Sequence, residues 1–130
     1  MKLKTFNLTT LNALSTGRSK IRFTRQGTVT ISGKAAEIMH LAEGDKIEFC
    51  QSAEDQRDWY IHKTLREDGF ILRKLKDCLC LMFNSSKLSA MVLDSVDATD
   101  KSVGFVVSGT PEVLDGENYY FIITRNQIKK

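Results

Sequence analysis

Val29-Thr30-Ile31-Ser32 and Leu81-Met82-Phe83-Asn84 are the two stretches on which the reading of the fold turns. Each places apolar residues two apart, as a strand with one buried face requires. Each then ends on a side chain that can accept from a free N–H in the first turn of a helix. After Ser32, the residues Ala35, Ile38, Met39 and Ala42 recur at the spacing of one helical face, which predicts a helix from Gly33 to about Leu41. After Asn84, the residues Leu88, Met91, Val92 and Val96 predict a second helix capped by Asn84. The match between the two stretches continues at constant offset, pairing Ala36 with Leu88, Met39 with Met91 and Leu41 with Leu93.

Working outward, Lys20-Ile21-Arg22-Phe23-Thr24 alternates polar and apolar before Gly27 breaks the pattern. Glu43-Gly44-Asp45 is expected to end the first helix, with Gly44 taking positive φ. Lys46 to Cys50 and Trp59 to Lys63 then read as strands. In the second half, Gly69 to Arg73, Leu79 to Phe83, Val103 to Val107 and Tyr119 to Ile123 read the same way. The expected fold class is α+β: two ββαββ repeats, at 20–64 and 69–124, form a curved antiparallel sheet with two short helices packed on one face. Residues 1–130 are expected to make a single domain, with 1–15 a tail or added edge strand.

Composition is ordinarily globular, with 42% apolar and 27% charged residues, so disorder is not expected. The longest apolar run, Cys78 to Phe83, is far short of the roughly 20 residues that span a bilayer, and no apolar signal core precedes Lys20. A cytoplasmic protein is expected, without a membrane partner. Three cysteines, an odd number, favour reduced thiols over a disulfide framework.

Net charge is only +3, but the charges are grouped by sign. Residues 1–34 carry seven basic side chains and no acid, residues 35–55 carry six acids against Lys46, and residues 56–76 are basic again. Folding could gather the basic segments on one face as a footprint for a polyanion.

Catalytic signatures are missing. The sequence contains no Walker loop, Rossmann fingerprint or nucleophile elbow. His40 and His62 are not spaced as a metal pair, and Cys78-x-Cys80 is too close for a zinc knuckle and reads as an inward-facing strand pair. Neither an enzyme nor a cofactor is expected. What remains is basic and aromatic alternation on strands: Arg22, Tyr60, His62 and Arg73, with Tyr120 from the second half, are expected on one sheet face. There Tyr60 or Tyr120 would stack bases, while Arg22, Arg25, Lys63, Arg73 and Lys74 would hold phosphates.

Two resemblances accompany this reading. Gly27-Thr28-Val29-Thr30-Ile31-Ser32-Gly33-Lys34, followed by His40 to Phe49 with its Gly44-Asp45 turn, resembles an AbrB-type DNA-binding segment over about a quarter of the chain. That resemblance implies a duplex DNA binder. From Lys46 to Val96 the expected order of four strands and a helix is similar to the Whirly and Pur-alpha group, permuted here. This second likeness implies single-stranded nucleic acid bound on a sheet face. The leading expectation is therefore a non-enzymatic nucleic-acid-binding protein, single-stranded targets favoured, with a regulatory role and a homodimeric state. The alternatives are the AbrB-like duplex binder, a dimeric interaction module whose strands Phe70–Leu72 and Phe105–Val107 pair between subunits, and a small-molecule binder marked by a deep pocket.

Overall fold

The computed structural model describes residues 18–75 and 79–128, with side chains as far as Thr124. Among the described residues, ten strands and two helices follow in chain order: β1 (Lys20–Thr24), β2 (Thr28–Ile31), α1 (Gly33–Ile38), β3 (Lys46–Gln51), β4 (Trp59–Thr64), β5 (Phe70–Ile71), β6 (Arg73–Lys74), β7 (Leu81–Asn84), α2 (Ser86–Ser95), β8 (Ser102–Val107), β9 (Glu112–Leu114) and β10 (Glu117–Ile128). The expected tail at 1–15 and the inward-facing Cys78 lie outside the described residues.

The strands form one antiparallel sheet in the order β5-β3-β4-β10-β8-β1-β2-β7-β6, with β9 hydrogen-bonded to β10 as a side arm. The sheet is nearly closed. β5 pairs with β3 at one end of the path and β6 with β7 at the other, and only the fully buried Leu72 separates β5 from β6. The alternation anticipated in sequence holds where it matters. Ile21 and Phe23 of β1, Val29 and Ile31 of β2, and Val103 and Phe105 of β8 are all fully buried. Phe23 meets Phe49 at 6.0 Å and Phe105 at 5.9 Å, and Phe70 stacks on Phe83 at 4.6 Å. Rings from five strands therefore fill one interior, at the separations aromatic pairs prefer.

The sequence reading packs both helices on one face of the sheet, whereas in the structure they lie at different ends of it. α1 reaches Tyr120, whose hydroxyl donates to the Ile38 carbonyl at 3.4 Å. α2 reaches Trp59, whose indole N–H donates to Ser95 Oγ at 2.8 Å. Tyr120 pairs with Ile61 and Trp59 with Ile122, so these contacts mark opposite ends of the β4–β10 pair. A sheet that curls on itself has no free inner face for a helix to cover, and its open ends are what the helices close.

Ser32 caps α1 as expected, accepting from the Ala35 N–H at 3.2 Å. The helix nonetheless stops at Ile38. Met39 and a left-handed His40 (φ 55°) end it, so Gly44 serves the turn into β3 and Ala42 is exposed. The second cap is Ser85 and not Asn84. Its hydroxyl accepts from Leu88 N–H at 3.2 Å, while Asn84 is the last residue of β7 and pairs with Thr28. The one-residue shift also turns Met91 outward.

Ser32 has a wider role than capping, because its hydroxyl also accepts from Lys20 N–H at 3.0 Å and donates to the Arg18 carbonyl at 2.8 Å. Ser32→Ala would leave three backbone groups to find other partners. The expected cost is about 2 kcal/mol, the upper end for a lost cap, read as a shift of the urea midpoint at unchanged m-value.

Candidate nucleic-acid interface

The outward positions of β1, β2, β7 and β6 form a wall. Register runs from Arg22 to Thr30, from Thr30 to Met82, and from Met82 to Arg73, so these four residues make one transverse row. Three strand spacings separate the two arginines, about 14 Å along the sheet. Lys20, Thr24 and Thr28 lie on the same face by the period of two, opposite the buried Ile21, Phe23 and Val29. None of these four strands, KIRFT, TVTI, RK and LMFN, contains an acid. Arg73 is exposed and Arg22 half-buried, its guanidinium donating to Ser102 Oγ at 2.9 Å.

The remaining expected site residues are distributed elsewhere. Tyr60 lies on β4, with β10 and β8 between that strand and β1. Its ring packs at 5.2 Å on Phe121, and burial, followed by the charges of Glu112 and Asp58, pushes its phenol above the ordinary range. His62 is only 4% exposed and is held among Glu48 (Nε2 to Oε1, 3.2 Å), Glu117 (Nδ1 to Oε2, 3.5 Å) and the ring of Tyr119 at 4.3 Å. Tyr120 points inward and is buried in the core. The expected stacking platform is therefore not assembled: two of its rings are buried, and Tyr60 lies among carboxylates that would repel phosphate.

Two of the other basic residues, Arg25 and Lys63, have local side-chain partners. Arg25 donates to Asp94 Oδ1 at 2.8 Å and to the Ala98 carbonyl, tying the β1–β2 turn to the far end of α2. The Lys63 ammonium lies 3.3 Å from Asp45 Oδ2. Lys74 is exposed, and its backbone N–H donates to Glu43 Oε2 at 3.2 Å. The polar–apolar alternation of Lys20 to Thr24 turns Lys20, Arg22 and Thr24 outward, and Thr28, Thr30 and Met82 were not among the expected site residues. The same alternation carries them there.

The opposite wall, on β3, β4, β9 and β10, carries Glu48, Glu112 and Glu117. Cys50 is half-buried there, and burial, then Glu48, raises its thiol above the ordinary value. A raised folded value leaves little thiolate near neutrality, and the thiolate is the species that reacts. At pH 7.5, iodoacetamide should label Cys50 several-fold more slowly in the folded chain than in urea, with the gap closing as pH rises. Peptide mass spectrometry reads the difference.

Of Phe70–Leu72 and Phe105–Val107, the strands that the interaction-module alternative would pair between subunits, Phe70–Ile71 pairs with β3 and Phe105–Val107 with β1 and β10 within the chain, and Leu72, Phe105 and Val107 are in the core. Among the described residues there is no cluster of three or more potential metal ligands, and no helix is long and apolar enough to cross a membrane. Comparison with protein-family models, curated proteins and solved structures gives no significant match for this chain.

Proposed function

We propose that this chain is a non-enzymatic nucleic-acid-binding protein whose β1–β2–β7–β6 wall lies against duplex DNA. The observation that carries the reading is the Arg22–Thr30–Met82–Arg73 row on strands without a carboxylate. Two arginine-bearing strands about 14 Å apart along the sheet suit phosphates on either side of a major groove roughly 12 Å wide. Thr30 and Met82 would then face the groove. Base stacking, which single-strand binding relies on, finds no exposed aromatic among the described residues of this wall.

In the same reading the chain is a duplication. The order β1-β2-α1-β3-β4 is followed by β6-β7-α2-β8-β10, and the antiparallel β2–β7 and β4–β10 pairs are what a two-fold relation between halves would produce. Arg22 and Arg73 would flank that axis, matching the local two-fold of a duplex. The AbrB-like stretch at 27–49 supplies β2 and supports the same preference.

Fluorescence anisotropy with labelled duplex and single-stranded oligonucleotides across a salt series tests this. Tighter duplex binding is expected, with log affinity falling by about 0.9 per phosphate neutralised for each unit of log salt. Affinity that is flat with salt would refute it.

A further inference from the structure

A second site lies at the end of the sheet closed by α1. Along β4, Trp59, Ile61 and Lys63 share the inward face, and along β10 Asn118, Tyr120 and Ile122 do so. Both series are apolar and buried in the middle and turn polar at this end, where Lys63 and Asn118 line a cavity of about 640 Å³. That volume is in the usual range for small-molecule sites, and the mouth of a closed sheet is a common place for one.

The lining combines cations with apolar surface. Lys63 and Arg66 contribute charge, His40 an imidazole, and Met39, Leu65 and the Tyr120 ring an apolar wall. The two cations keep donor capacity to spare. Lys63 meets Asp45 at 3.3 Å with its side chain 48% exposed, and Arg66 approaches Glu48 no closer than 3.6 Å at 74% exposure. Glu117 also lines the cavity, its carboxylate accepting from the Tyr119 hydroxyl at 3.2 Å beside His62, and its charge would keep a bound anionic group to Lys63 and Arg66. Two further details mark the place. Leu65 is 94% exposed, and His40 holds a left-handed φ of 55°, a conformation that costs free energy in a non-glycine residue.

We propose that this mouth binds a small organic anion, its carboxylate or phosphate group on Lys63 and Arg66 and its apolar body against Met39, Leu65 and Tyr120. This site is separate from the basic wall and does not depend on the DNA reading. Amide ¹H–¹⁵N spectra of the full chain, titrated separately with benzoate, phenyl phosphate and inorganic phosphate, test it. Saturable shifts confined to His40, Thr64 to Arg66 and Asn118 are expected with either aromatic anion and weaker ones with inorganic phosphate. The preferred aromatic anion distinguishes a carboxylate from a phosphate ligand. Arg66→Gln, at an exposed position that should not disturb folding, should weaken binding about tenfold, the loss of one charge-assisted hydrogen bond. Shifts that fail to saturate, that centre on Arg22 and Arg73, or that survive unchanged in Arg66→Gln would overturn it.

Discussion

Gly27→Ala should destabilise the fold by about 3–4 kcal/mol, combining the cost of a strained backbone with that of overpacking. Gly27 sits in the turn between β1 and β2 at φ +104°, where side chains are rarely accommodated. A Cβ there would come within 2.7 Å of both the Cα and the backbone nitrogen of Ser86, the first residue of α2. Neither atom can yield as a flexible side chain could. The Gly27 carbonyl also accepts from Ser85 N–H at 2.8 Å, so the turn cannot retreat without uncoupling the start of the helix. Gly116→Ala provides the control. It too has positive φ, +79°, but an added Cβ meets nothing within 4 Å, so only the backbone cost of about 1–2 kcal/mol is expected. Chemical denaturation of both variants separates the terms, and equal losses would show that the Ser86 contact is immaterial.

The double variant Arg22→Ala/Arg73→Ala should lower duplex affinity about 30–100-fold near 100 mM salt and reduce the salt slope by about two, one for each phosphate that is no longer neutralised. Both residues are outward-facing, so stability should change by less than about 1 kcal/mol, apart from the Arg22 bond to Ser102. Lys63→Ala, Tyr60→Ala and Arg25→Ala should leave the salt slope unchanged, because those side chains lie off the wall or are engaged by Asp45, Phe121 and Asp94. Anisotropy with one duplex probe and all of these variants distinguishes a localised wall from diffuse attraction. A slope that drops equally in every variant would favour the diffuse case.

Much of the architecture was legible in sequence because its signals are local. Period-two alternation in KIRFT and TVTI reports one buried face whatever the partner strand, and Ser32 reports a helix start through its own hydroxyl. The β9–β10 arm was missed although Asp115-Gly116, both at positive φ, carries the ordinary signal for a tight hairpin turn. The second cap was displaced because Asn84 and Ser85 are both competent, and the pairing of Asn84 with Thr28 decides between them.

The site was less legible, for a reason of geometry. By itself the sequence determined the polar side of the clearly alternating strands, and so that Arg22 and Arg73 face outward while Phe23 and Leu72 face in, whereas the unbroken Tyr119–Ile123 run left the side of Tyr120 open. It could not determine which strands are neighbours, because strand order depends on long-range pairing. Only the tertiary structure set β1, β2, β7 and β6 side by side, removed Tyr60 to the acidic wall and folded His62 and Tyr120 out of reach. Alternation is written into adjacent residues. A surface is made by residues dozens of positions apart, and hydrogen bonding between strands and packing of the shared core bring them together.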